Sequence, residues 1–236
     1  MVAETDPRVT TARVTYKGAS GDVKAYLAEP KAQGKFSSIV VVHQNRGLNP
    51  HIEDIARRLA MEGYAALAVD FMSQLGGTPK DEDEAMKLFP KLDAGKVTGD
   101  AVAAVAYLRT RPESNGKVGA IGFCWGGGVI NRMAVSDPTL EAAVVFYGPP
   151  PDLSLVGKIK APLLLNYADP KLDKWLGPLV PGYEEALKAA HIKYTLYYYE
   201  GANHGFNDDT QAARYNEAAA KTAWGRSLAF LKDHLG

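Results

Sequence analysis

The sequence predicts an α/β fold: a mainly parallel central sheet with helices on both faces and an N-terminal β-hairpin. Two observations carry this. Short β-rich runs alternate with helical stretches through most of the 236 residues, as in strand–helix–strand units. The run Ser38–His43 is continuously β-branched through Ile39–Val42, as expected of a strand covered on both faces. No internal repeat, low-complexity segment or long linker interrupts the pattern, so a single domain over 1–236 is expected.

The elements follow in order. Arg13–Lys17 and Val23–Glu29 flank the turn-rich Gly18–Asp22 and read as a hairpin. After Ser38–His43, Asn49 is a plausible N-cap with Pro50 at the first helical position. Ile52, Ile55, Ala56 and Leu59 then recur at helical spacing, and Gly63 ends the helix. Tyr64–Val69 is the next strand. Residues 71–95 are less regular; Asp81–Glu84 reads as a solvated acidic face that could open a short helix. Ala101–Leu108 is helical, and Lys117–Phe123 is a strand entering a glycine cluster, with a helical run from Val129. Ala142–Tyr147 and Pro162–Tyr167 are strands, Tyr183–Ala190 a helix and Lys193–Tyr199 a strand. Ala212–Leu235 closes the chain as a long helix.

Composition narrows the function classes. Lys+Arg and Asp+Glu are both 27, so the formal net charge is zero, which argues against a nucleic-acid partner. Hydrophobic residues at 46% suffice for a real core without staples. No apolar run approaches the roughly 18 residues of a membrane span, so no membrane partner is expected. Met1–Pro7 has neither a basic nor an apolar signal region, giving a cytoplasmic expectation, though a signal removed earlier would leave no trace. Cys124 is the single cysteine and cannot form an internal disulfide.

The strongest chemical signal is Gly122-Phe-Cys124-Trp-Gly126, directly after a strand and before a helix. It fits the nucleophile elbow, whose small neighbours let strand and helix approach. The helix N-terminus favours a thiolate there, and the Trp125 N–H would face a developing oxyanion. The second signal is His204 in Gly201–Phe206, on the loop after the last strand. A neutral imidazole there can take the thiol proton and later protonate a leaving group. A carboxylate after Pro162–Tyr167 would orient it, and Asp169 and Asp173 both qualify by position. His43 reads as a satisfied core histidine; His51, His191 and His234 read as surface residues. No H-E-x-x-H or Cys/His cluster is present, so no metal and no cofactor are expected.

These residues resemble the dienelactone hydrolase family, cysteine members of the α/β-hydrolase fold. Val42–Gly47, Ser114–Gly127 and Tyr199–Phe206 carry the resemblance, which runs from about residue 12 to 235. It implies Cys124 as nucleophile, His204 as base and Asp173 as acid, with Asp169 the alternative. It implies the Trp125 and Asn45 amides as oxyanion hole. Three departures matter. Gln44 stands where the family usually carries a glutamate, and an amide cannot take the thiol proton. Gln74 and Asp208 stand where two arginines hold the substrate carboxylate, so an anionic lactone loses its clamp unless Arg46 substitutes. The expected function is hydrolysis of a small neutral ester or lactone by a Cys-His-Asp triad through a thioester. Gln44, Phe71, Gln74 and Phe206 are candidate substrate-binding residues, with Met72, Trp125 and Trp175 as further pocket walls. A monomer or small homo-oligomer is expected. The alternatives are a silenced, hydrolase-like binding protein, favoured by Gln44, and a thiol sensor lacking an internal resolving cysteine.

Overall fold

The computed structural model describes residues 1–236. Eight strands form a mostly parallel sheet in the order β1-β2-β4-β3-β5-β6-β7-β8, accompanied by helices. The chain divides into two compact units, Met1–Ala120 and Ile121–Gly236, and β5 (Ser114–Phe123) contributes residues to both.

In the first unit, β1 (Val9–Gly18) and β2 (Gly21–Pro30) form the expected hairpin, paired from Val9↔Pro30 to Gly18↔Gly21. Its tip is pinned by buried Asp100, which accepts from the Ser20 amide at 2.8 Å and hydroxyl at 2.6 Å. β4 (Ala65–Val69) pairs antiparallel with β2 and parallel with β3 (Phe36–Val42). All of β4 is buried, which explains its unbroken apolar run. α1 (Pro50–Met61) starts where the sequence indicates: the Asn49 side chain accepts from the Ile52 amide at 3.2 Å.

The irregular stretch resolves into a short 3-10 helix at Phe71–Leu75 and α2 (Glu82–Leu88). Asp81 is the cap of α2, accepting from the Asp83 and Glu84 amides. α3 (Ala94–Thr110) begins seven residues before the expected Ala101, because Asp93 caps it at the Lys96 amide. Gly95, Thr98 and Gly99 are weak helix formers and mask that first part locally.

In the second unit β6 (Ala142–Phe146), β7 (Leu163–Ala168) and β8 (Tyr194–Tyr199) run parallel. α4 (Trp125–Ser136) packs on β6 and starts four residues before Val129. α5 spans Val180–Ala189. α6 (Glu217–Leu235) contacts β6 and β7 and starts at 217, later than the expected Ala212. The Asn216 side chain caps the Ala219 amide at 3.1 Å, while the Asn216 amide is held by the Phe206 carbonyl at 3.0 Å. No helix is long and apolar enough to cross a membrane.

Candidate active site

Cys124 follows β5 at φ 55°, ψ −120°, a left-handed φ that residues with a side chain rarely adopt. Three constraints hold it. Its amide donates to the Phe146 carbonyl at 2.9 Å. A Cβ on Gly122 would lie 2.4 Å from the Gly126 carbonyl oxygen, so only glycine lets the strand lie this close to the helix. A Cβ on Gly127 would lie 2.7 Å from Gly148 Cα, so α4 meets the end of β6 backbone to backbone. The thiol is lifted to the N-terminus of α4, where Trp125 supplies the first amide and partial positive charge collects.

His204 lies on the loop after β8, and its ring joins two groups. Nε2 is 3.1 Å from Cys124 Sγ, and Nδ1 is 2.9 Å from Asp173 Oδ2. A carboxylate only accepts, so Nδ1 carries a proton and Nε2 is left to exchange one with sulfur. Burial alone would push the imidazole down. The bonds to Asp173 and Cys124, with their negative charge, carry it up to about 9 instead.

Asp173 is almost wholly buried. Desolvation would raise its pKa. The His204 bond, together with the Leu176 and Trp175 amides, outweighs that and holds it below the usual carboxylate range. Asp169 makes no such bond. It accepts from the Gly201 amide at 3.0 Å and the Lys171 amide at 2.9 Å, tying the β7 loop to the β8 loop. Of the two aspartates that position alone left open, Asp173 is the one at the imidazole.

Tyr147, unremarked in the sequence, flanks the His204 ring at 5.1 Å between centroids. It is fully buried at φ 37°, and burial, then the charges of Cys124 and Asp208, push its phenol well above 10, so it stays neutral. Its signal was available: it directly follows β6, at the carboxyl strand ends where such sites gather. Trp175 lies against the same imidazole, 5.2 Å between centroids. Asp208 is buried, and its carboxylate accepts from the Thr210 amide and hydroxyl.

Three expected pocket walls are core residues. Phe206 has no exposed surface and packs among Phe146, Tyr147 and Tyr199; Phe71 is equally buried, edge-on to His43. A ring without an accessible face cannot meet a ligand. Met72 is buried in the same way.

Elsewhere in the first unit, Gln44 and Asn45 are half-buried just past β3. The Gln74 side chain is half-buried, with its amide nitrogen lacking a hydrogen-bond partner. His43 is the satisfied core histidine expected: Nδ1 donates to the Gln44 carbonyl at 2.5 Å and Nε2 accepts from the Phe71 amide at 3.3 Å. Burial lowers its pKa, so it stays neutral. His51, expected at the surface, is buried in α1. Arg46 is engaged by Glu82, which also accepts from Asn49 at 3.0 Å, so the guanidinium expected as a substitute clamp is already paired.

The chain is similar to known proteins over most of its length. Residues 23–235 match the model of the dienelactone hydrolase family. A protein assigned as a carboxymethylenebutenolidase from Synechocystis sp. is 32% identical, over 92% of this chain and 94% of its own length. One assigned as a 2-oxo-3-(5-oxofuran-2-ylidene)propanoate lactonase from Bradyrhizobium sp. is 30% identical, covering 92% of each chain. The crystal structure of a protein assigned as a dienelactone hydrolase from Klebsiella pneumoniae superposes with a TM-score of 0.85 at 29% identity, covering 95% of this chain and 98% of that one. Strand order, elbow and sequence likeness converge: this chain is a hydrolase of the dienelactone hydrolase family.

Proposed function

We propose that this chain hydrolyses small neutral carboxylic esters or lactones through a thioester on Cys124. The observation that carries the reading is the single imidazole of His204 joined at once to Asp173 Oδ2 and Cys124 Sγ. The thiol proton rests on Nε2, and Sγ attacks the carbonyl carbon as a thiolate. The new C–S bond forms as the carbonyl oxygen takes up negative charge. The Trp125 amide at the head of α4 stabilises that charge. The family resemblance assigns Asn45, just past β3, as the second amide. The tetrahedral intermediate collapses, the ester C–O bond breaks, and His204 delivers its proton to the departing oxygen. Water, deprotonated by His204, then attacks the thioester; the C–S bond breaks, and the sulfur leaves as a thiolate beside the imidazolium, which restores the starting pair. Asp173 holds the ring and stabilises the imidazolium throughout.

Substrate charge is read from the family resemblance: Gln74 and Asp208 stand where two arginines would hold a substrate carboxylate, so an anionic acyl group finds no cationic partner there. Gln44 leaves proton abstraction from the thiol to His204.

The test is steady-state hydrolysis of 4-nitrophenyl acetate by this protein beside Cys124→Ala. Multiple turnovers abolished by the substitution are expected. A wild-type rate no higher than that of Cys124→Ala would overturn the reading and favour a silenced binding protein, the alternative that Gln44 suggests.

A further inference from the structure

We infer that Trp175 is a specificity-determining residue, its exposed indole receiving a flat, apolar alcohol portion of the substrate. This rests on the reading above. Tryptophan is usually among the more buried side chains, yet Trp175 is 53% exposed. It is also not stranded away from the chemistry. Its ring centroid lies 5.2 Å from that of His204, whose Nε2 is 3.1 Å from Cys124 Sγ.

The loop fixes the backbone that carries the indole. Asp173 Oδ1 accepts from the Trp175 amide at 3.2 Å and the Leu176 amide at 3.1 Å, and the Asp173 carbonyl accepts from the Gly177 amide at 2.9 Å. A Cβ on Gly177 would meet the Pro170 carbonyl oxygen at 2.6 Å, so the turn is closed tightly. Leu176 is anchored inside, which sends Trp175 outward. The carboxylate that orients His204 therefore also fixes the backbone that carries the indole. Leu172 and Leu179, on the same segment, are 45% and 46% exposed and extend its apolar character.

The side of the substrate follows from proton transfer. His204 must deliver its proton to the leaving oxygen, so the alcohol portion lies over the imidazole. Trp175 flanks that imidazole, with Tyr147 buried against it as well. A benzyl or comparably flat, uncharged alcohol portion stacks on the exposed indole face; a methyl group leaves it in water.

The experiment compares benzyl acetate with methyl acetate. They share an acyl group and release alkoxides of similar basicity, so intrinsic reactivity does not confound the ratio. The wild type, Trp175→Phe and Trp175→Ala are assayed for kcat and KM across pH. Trp175→Ala should lower kcat/KM for benzyl acetate about tenfold, mainly through KM. Methyl acetate should change by less than about threefold, and Trp175→Phe should retain most of the preference. Equal losses on both esters, or a shifted alkaline limb, would overturn the inference, since either would mean that Trp175 acts by positioning His204. An unchanged benzyl-to-methyl ratio in Trp175→Ala would overturn it as well. If wild type and Cys124→Ala are equally slow on both esters, the underlying hydrolase reading has failed instead.

Discussion

One carboxylate sets the state of the imidazole. Replacing it with an amide, Asp173→Asn, removes the charge that helps carry His204 to about 9 and allows the wrong ring tautomer. The proposed mechanism predicts a fall in kcat of at least about a hundredfold. It also predicts that the alkaline limb of kcat/KM, near pH 9 in the wild type, moves lower. That limb marks loss of the imidazolium proton needed by the leaving oxygen. Asp169→Asn is the control: its carboxylate binds the Gly201 and Lys171 amides, so kcat should fall less than about threefold. Initial rates across pH decide both. Similar losses in the two variants would remove Asp173 from the mechanism. The elbow at Cys124 and the strand-end loop of His204 form local patterns in the sequence. Asp169 and Asp173, four positions apart after one strand, could not be separated by position, and only the family resemblance favoured Asp173.

The elbow depends on how closely β5, α4 and β6 approach. Gly122→Ala would place a methyl 2.4 Å from the Gly126 carbonyl oxygen and 2.6 Å from its carbonyl carbon. Backbone cannot swing aside as a side chain can, so a loss of about 2–4 kcal/mol is expected, with hydrolysis lost in proportion to the displaced thiol. Gly157→Ala, in the 3-10 helix Leu153–Lys158, meets nothing within 4 Å and should stay within about 0.5 kcal/mol of wild type. Urea denaturation of both variants tests this; equal stabilities would show that the strand–helix approach tolerates a side chain. Element edges were less legible than elements. α6 loses its expected first turn because Phe206, ten residues before Asn216, holds that amide.

Stability of the whole chain should carry the pH signature of the buried pair. His204 rises from 6.5 to about 9 on folding, so its proton is bound more tightly in the native state. That contribution is fully present below pH 6.5 and is lost as pH rises through about 9. Asp173 moves the other way: its share is present above the ordinary carboxylate range and fades as acid titrates it through its lowered value. The Tm advantage of wild type over His204→Gln should therefore shrink between pH 6.5 and about 9. An advantage constant across that interval would show that the imidazole gains nothing from Asp173 and Cys124. With formal net charge zero at pH 7, little overall self-repulsion is superimposed on this local effect.

Apolar runs, caps and glycine spacing are properties of neighbouring residues, so the α/β class, the hairpin, α1 and the strand-to-helix elbow were readable along the chain. The folded chain was needed wherever the outcome turned on residues distant in sequence. His51 looked like a surface residue beside a proline cap, and burial in α1 removed it from solvent. Phe71 and Phe206 looked like pocket walls, and aromatic packing enclosed both. Arg46 looked available until Glu82, 36 positions away, engaged it. Asp173 became distinct from Asp169 through His204, 31 positions on. Local sequence encodes backbone geometry through short-range sterics. Burial and partnership depend on which distant segments the fold packs together, and those in turn set the protonation state of the imidazole and the exposure of Trp175.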